Sequence, residues 1–500
     1  MQLQACLTAL DLEIVINLNT VIFFGFFIIV VASLNLMYGY AGLPFLAGAA
    51  PMLAGGIAFS AITTRLAFLL AQWTGASLQP YSSEMDWVYN SEYNVKVVNI
   101  YLETRPALCI TLIVFSIAIA MLLGSRMNIE DAAQLTQAYY CLDCGVCTGS
   151  CPVSRVLPSF SPRLIVEKAL LGLGDELLKD QELWSCLTCS RCYERCPSSI
   201  NFPEFMRLLR EEASKRGTQP VYSHHGMLQT IMELQTQGIN QKKTEWAREA
   251  GQVAESGDTF FFVGCMPYFQ VIFRDLGVDS LSVSKNIIKI LNGAGIKPVV
   301  SDEEHCCGHD MLWNGQVEIF KKLAFHNLEV IRKSGAKRVV FNCPEGYYTF
   351  KKHYPEHFGE LGFEVVHFYD LVAQMLADDV LKVENGAGPL TFHDPCRLGR
   401  MAKIYDGPRE ILNKLAKDQF KEMERNRENA VCCGTSGWAN CGTGSKQIQM
   451  ERLAEAKATG AQTLVTACPK CQIHLNCALN NMDIDLQIKD LTLVLAEAIK

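Results

Sequence analysis

CLDCGVCTGSCP at 141–152 and CLTCSRCYERCP at 186–197 are two copies of one spacing. Each reads Cys-x2-Cys-x2-Cys-x3-Cys-Pro, a known arrangement of thiolates around a [4Fe–4S] cube. Three thiolates two residues apart wrap one corner of a cube, and the fourth comes from elsewhere. In a chain with two such runs, that fourth cysteine belongs to the other cube. The spacing therefore assigns Cys141, Cys144, Cys147 and Cys196 to one cube and Cys186, Cys189, Cys192 and Cys151 to the other. Zinc would use two Cys-x-x-Cys pairs across a longer loop. Between the runs, SPRLIVEKALLG at 161–172 has helical spacing behind a Ser-Pro start.

The surrounding composition fits a chain built on metal-binding thiols. There are 21 cysteines in 500 residues, too large a chain for a disulfide-stapled miniature, so a reducing compartment is expected. The net charge of −7 and the lack of a basic stripe exclude a nucleic-acid footprint. Hydrophobic residues make up 49% and charged residues 19%, and mean hydropathy is +0.12, which points to membrane segments. Three uncharged stretches at 18–39, 42–62 and 106–124 are long enough to cross a bilayer. No Lys or Arg precedes the first, so the positive-inside rule puts the N-terminus outside and the cysteine-rich part on the cytoplasmic side. All ten histidines lie at or after His224, so no span offers a histidine pair to haem; a partner subunit must supply any such chemistry. NLMYGYAGLPFLAGAAPMLAGG at 35–56 faintly resembles branched-chain amino-acid permeases, which suggests where an anchor came from.

The C-terminal half repeats itself. FFFVGC ending at Cys265 and LTFHDPC ending at Cys396 are apolar strands that stop at cysteine. Each leads to Cys-Cys-Gly, at Cys306-Cys307-Gly308 and Cys432-Cys433-Gly434, then to a second strand ending at Cys343 or Cys468. The corresponding cysteines lie 131, 126 and 125 residues apart, a duplication with a nearly constant offset. Short apolar strands alternate with helical stretches at 317–334 and 446–460, which predicts parallel α/β domains with the cysteines at the carboxyl ends of the strands. The second copy is complete, with Cys396, Cys432, Cys433, Cys468 and Cys471. In the first, Gly346 stands where the last cysteine belongs, and Glu345 beside it is a candidate substitute ligand.

These cysteines carry a family resemblance. Cys-x(n)-Cys-Cys-Gly-x(n)-Cys-x-x-Cys is the CCG cysteine-rich pattern, and residues 131–500 resemble the D component of heterodisulfide reductase. They also resemble its relatives in membrane sulfite-reduction complexes and the iron–sulfur subunits of glycolate oxidase and anaerobic glycerol-3-phosphate dehydrogenase. The doubled cysteine runs look like the helical ferredoxin domain of respiratory iron–sulfur subunits. Composition gives a membrane anchor (1–130) with about three spans; the motifs and the resemblance then divide the rest into a helical two-[4Fe–4S] ferredoxin domain (131–218), a helical linker (219–258), a first, degenerate CCG domain (259–385) and a second, complete one (386–500). It implies a non-cubane [4Fe–4S] cluster on the five thiolates of the second copy, where a disulfide such as CoM–CoB is cleaved with electrons from a membrane carrier. A cytochrome b-type or other quinone- or phenazine-reactive subunit is the implied partner. For Cys265, Cys306, Cys307 and Cys343 of the first copy, a cluster, zinc and an empty site stay open. The rival expectation is a pure electron-transfer subunit between a flavoprotein and quinone.

Several neighbours have two readings. His393 is a candidate proton donor to a departing thiolate, or a hydrogen-bonding neighbour of the cluster. His305 and His309, beside the first Cys-Cys-Gly, read as structural or tuning residues. Arg397, Arg400 and Lys470 read equally as a clamp for an anionic substrate and as charge compensation for thiolate-bound clusters. Cys6 and Cys109 read as apolar filler, and Cys441 and Cys477 as structural. No Walker loop or dinucleotide fingerprint is present.

Overall fold

A computed structural model describes residues 129–239 and 241–499. The stretches expected to span a membrane, 18–39, 42–62 and 106–124, lie outside the described residues, as do Cys6 and Cys109. Among the described residues, no helix is long and apolar enough to cross a membrane.

The ferredoxin-like module is built from short helices set by its punctuation. In both cysteine runs the backbone turns left-handed at two equivalent places, Asp143 and Gly145 in the first, Thr188 and Ser190 in the second. These bends curl each loop so that three thiols face inward. Only one of the four positions is glycine, so the other three hold a conformation that L residues adopt at a cost. Pro152 then opens the helix Pro152–Val156. The expected helix after Ser161 spans Pro162–Leu170, and the Ser161 hydroxyl caps it by accepting from Leu164 N at 3.3 Å. The long helix Phe202–Lys215 closes the module and buries Phe205, Met206 and Leu209.

Each cysteine-rich copy is a three-stranded parallel sheet, β1 (Thr259–Phe262), β2 (Arg338–Phe341) and β3 (Glu364–His367) in the first, β4 (Leu390–His393), β5 (Thr463–Thr466) and β6 (Gln487–Asp490) in the second. On the free side of β1, Val299 bridges Phe260, and on the free side of β4, Phe420 bridges Leu390, both in parallel. With these rudimentary strands included, the order is 2-1-3-4 in each copy. The chain switches direction between its first and third strands, and a crevice opens at their carboxyl ends. Cys265 and Cys343 lie just beyond β1 and β2, Cys396 and Cys468 just beyond β4 and β5. The strands stop two or three residues short of the cysteines rather than running into them, and the intervening residues turn the thiols into the crevice. Helices Val317–Ser334 and Thr443–Ala458 form the crossovers.

Residues 219–258 do more than connect. Their helices Met227–Gln235 and Glu245–Ala250 bury Leu228, Met232, Trp246 and Ala250 in the core of the first copy. One apolar core joins both copies, and a second joins the ferredoxin module to the cysteine face of the second copy. Trp438, just after the second Cys-Cys-Gly, crosses between the copies. It is 1% exposed and stacks on Phe273 of the first copy at 5.2 Å and 11°, with Phe269 edge-on at 5.7 Å. Its carbonyl accepts from Ser223 N at 2.8 Å. Trp438→Ala should therefore destabilise the protein by about 3–5 kcal/mol. In urea denaturation its midpoint falls, and Trp438→Phe recovers most of the loss.

Candidate metal centres

Two thiol-lined cavities sit in the ferredoxin module. Cys141, Cys144, Cys147 and Cys196 line one, and Cys151, Cys186 and Cys189 line the other; Cys192 borders both. Cys144 of the first is exposed, whereas Cys151, Cys186 and Cys189 of the second are buried. Burial pushes the Cys186 thiol up to about 12, and burial also raises Cys147, Cys151 and Cys192. Desolvated thiols crowded around one cavity are hard to ionise together unless a cationic core compensates them. The donor set thus fits an iron–sulfur cube, in which the metal charge keeps the thiolates deprotonated.

The five cysteines of the second copy meet in one chain of contacts. The Cys432 thiol lies within hydrogen-bonding reach of Cys396 and Cys433, Cys433 of Cys471, and Cys471 of Cys468, all as free thiols. All except Cys396 are buried. Cys432 also reaches Cys189 of the ferredoxin module, and this contact pulls the Cys189 thiol down to about 5. A thiol of the inner cavity thus touches a thiol of the second copy. Five soft donors converging in a dry site fit an iron–sulfur group there too.

His393 lies fully buried at the end of β4. Its Nδ1 accepts from Arg452 Nε at 3.1 Å, which leaves the ring proton on Nε2, and the ring contacts Cys433. Burial lowers its pKa. This is the geometry of a hydrogen-bonding neighbour of the cluster; no exposed face is available for proton exchange with solvent. His474, also buried, has its pKa lowered to about 4 by burial.

The three cations with two readings have internal partners. Arg397 donates to Thr188 O at 2.5 Å, Thr188 Oγ1 at 2.7 Å and His309 Nε2 at 3.0 Å. Arg400 donates to Cys189 O at 2.6 Å and Ala430 O at 2.7 Å. Lys470 pairs with Asp310 and with Glu345, the latter at 2.6 Å. The arrangement favours charge compensation and interdomain bracing over a substrate clamp.

In the first copy, Cys265 Sγ lies 3.5 Å from Cys306 Sγ, and the free Cys307 thiol is within hydrogen-bonding reach of Cys306. Cys343 stands further off, among Cys468, Glu345 and Lys470. A Cβ on Gly346 would come 3.9 Å from Cys307 Cβ and 3.3 Å from the Phe341 ring, so this position faces the other thiols without offering a ligand. Glu345 turns instead toward Lys470 and His309. His305 stacks on His326 at 3.7 Å, and burial lowers its pKa to about 4. Cys441 accepts from Thr435 Oγ1 at 3.7 Å and Cys477 from Lys446 Nζ at 2.9 Å, and neither enters a thiol cluster. Sequence reasoning passed over Asp310, Thr188, Arg452 and Trp438. The partners that give them their roles, such as His393 for Arg452 and Ser223 for Trp438, are distant in sequence, and only the position of Asp310 and Trp438 just after a Cys-Cys-Gly could have marked them.

The division of thiols between the cavities has a direct test. Cys144→Ser should remove one [4Fe–4S] EPR signal of the reduced protein and leave the other. Both signals surviving with unchanged iron content would contradict it.

Comparison with known proteins agrees with these centres. Residues 137–200 match the 4Fe-4S dicluster domain, and residues 259–351 and 390–476 match the CCG cysteine-rich domain. The D component of dihydromethanophenazine:CoB–CoM heterodisulfide reductase from Methanosarcina barkeri is 29% identical over 402 residues, 74% of this chain and 95% of that protein. Its counterpart in Methanosarcina mazei is 29% identical over 59% of this chain and 73% of its own length. EtfAB:quinone oxidoreductase of Syntrophomonas wolfei is 29% identical over 45% of this chain and 34% of that protein. The chain is thus an iron–sulfur protein in which one 4Fe-4S dicluster domain is followed by two tandem CCG domains, similar to the D component of heterodisulfide reductase.

Proposed function

We propose that this chain is a heterodisulfide reductase-like oxidoreductase that moves electrons between a membrane carrier and a disulfide/dithiol couple. The observation that carries the reading is the contact between Cys189 and Cys432, which joins the inner ferredoxin cavity to the five-thiol site. The outer cavity, with Cys144 exposed, is the natural entry for electrons, and Cys192 links it to the inner one. Bound iron–sulfur groups would supply one-electron steps and an iron able to hold a substrate sulfur. The chain's own residues do the rest. Cys396, Cys432, Cys433, Cys468 and Cys471 hold the group, and Cys396, the least buried of them, marks the approach. His393 lies near Cys433 with Nε2 free of any hydrogen-bond partner, and Arg397 and Arg400 fix the junction with the inner cavity. In the named relatives the disulfide is that of coenzymes M and B; the same couple is the candidate substrate here. Residues 1–130 would anchor the chain as a multi-pass protein with its cysteine domains on the cytoplasmic side. A cytochrome b-type or other quinone- or phenazine-reactive subunit would exchange electrons with it.

One observation favours a second reading, an electron-transfer subunit between a flavoprotein and quinone. Arg397 and Lys470 are engaged internally, and Arg400 is buried with Nε and Nη1 bonded and only Nη2 without a partner, which favours bracing over a clamp for an anionic substrate. The similarity to EtfAB:quinone oxidoreductase points the same way.

Serine substitutions separate the copies and the readings. With a reduced dye as donor under anaerobic conditions, Cys433→Ser should abolish disulfide reduction, while Cys307→Ser retains measurable activity. Intact EPR signals from both cubes serve as the folding control. Activity that survives in Cys433→Ser and disappears in Cys307→Ser would move the reaction to the first copy. An unmodified protein that carries all its clusters yet reduces no disulfide would support the second reading.

A further inference from the structure

The duplication has an asymmetry that the cysteine count alone does not explain. The first copy reads Cys343-Pro344-Glu345-Gly346 and the second Cys468-Pro469-Lys470-Cys471, so Glu345 and Lys470 occupy equivalent positions. Each begins the helix that follows its strand, Pro344–Tyr348 or Pro469–Leu479. The two side chains meet, with Lys470 Nζ 2.6 Å from Glu345 Oε2, and Lys470 also pairs with Asp310. Asp310 follows the first Cys-Cys-Gly, where the second copy has Ser436. Two copies that present equivalent surfaces to each other would place like residues together at this point, and like charges repel. Here the pair is opposite in sign, so the copies have specialised together. One kept five thiols and carries the cation; the other lost its fifth thiol and carries two carboxylates.

The group is sealed from water, with side-chain exposures of 5% for Lys470, 7% for Asp310 and 14% for Glu345. Trp438 covers the ammonium with its ring 5.2 Å away. His309 donates toward Asp310 at 3.0 Å while accepting from Arg397, which closes the network from the ferredoxin side. Salt does not screen charges in such a place as it screens surface charges. Lys470 adjoins Cys471 in the chain while its Nζ reaches Asp310 and Glu345, so the carboxylates of one copy meet the cysteine motif of the other.

We propose that Glu345 and Asp310 of the first copy are positioning residues for the second metal centre: they hold the ammonium of Lys470, the residue next to Cys471 in the chain, and so set that centre's reduction potential. The degenerate copy supplies charge to its neighbour through Glu345, which is not a substitute ligand for its own thiols. This inference rests on the reading that the five-thiol site holds a redox-active cluster. Reduction adds an electron there, so a nearby positive charge raises the potential and a negative one lowers it. Glu345→Gln or Asp310→Asn leaves Lys470 less neutralised, and Lys470→Met leaves the carboxylates uncompensated.

EPR-monitored redox titration of the full chain, with iron content measured in parallel, tests this. Glu345→Gln should raise the midpoint of the second-centre signal by an amount equal to at least a tenfold change in the redox equilibrium, about 59 mV for one electron. Lys470→Met should lower it, and the charge-swapped pair Glu345→Lys with Lys470→Glu should restore a midpoint between the two. Cys343→Ser, which removes a thiol of the first copy and no charge from the network, should leave it in place. If Glu345→Gln lowers metal content while the second-centre midpoint stays put, Glu345 is a ligand of the first site and the inference falls. A normal second-centre signal that none of the charge variants shifts also overturns it, while leaving the proposed function standing. Absence of any second-centre signal from the unmodified, iron-replete protein would overturn both.

Discussion

Crowded thiols in a dry interior are the constraint on which the rest of this structure depends. A thiolate removed from water is costly, and several together repel one another. The protein answers with buried cations and directed donors. Arg210, Arg397, Arg400, Arg452 and Lys470 are all nearly inaccessible, and each points at a backbone carbonyl, an imidazole or a carboxylate near a cysteine site. Arg210 shows the pattern well. Its guanidinium donates to Leu183 O, Cys186 O and Trp313 O, and ties the second cysteine run to the first CCG copy. Such arginines do two jobs at once, since a planar fork satisfies several carbonyls while its charge offsets the thiolates.

The same constraint explains why the dicluster module and the CCG copies form one unit. A ferredoxin module alone would present its second cavity to solvent. Here the buried contact between Cys189 and Cys432 lies in an apolar core shared with the second copy. Arg397 and Arg400 stitch the loop at Thr188 and Cys189 to the turn after Cys396. The strained left-handed positions at Thr188 and Ser190 are held by these tertiary bonds, since local propensity does not favour them.

Duplication provided two equal crevices, and the copies then diverged. Both keep the same sheet, the same extra bridging segment and the same placement of cysteines past the strand ends. What differs is the chemistry at matched positions, Gly346 against Cys471, Glu345 against Lys470 and Asp310 against Ser436. Trp438 and the buried ion pair then join the two crevices, so the first copy shapes the surroundings of the second.

The cysteine spacings and the alternation of strand and helix were legible in the amino-acid sequence because each is a short-range pattern set by local geometry, and the duplication was legible as a repeated offset. Three thiolates of a cube must sit close together along the chain, and helix Val317–Ser334 appears where its periodicity predicts it. The lack of a fifth ligand at Gly346 could also be read directly. Tertiary structure alone decided the partners of the charged residues. Arg397 and Lys470 looked equally suited to a substrate and to a cluster until their neighbours Thr188, His309, Asp310 and Glu345 came into view. Those neighbours lie between 88 and 209 residues away along the chain. A side chain's charge is written in the sequence, but the partner that neutralises it depends on which distant segments the fold buries beside it.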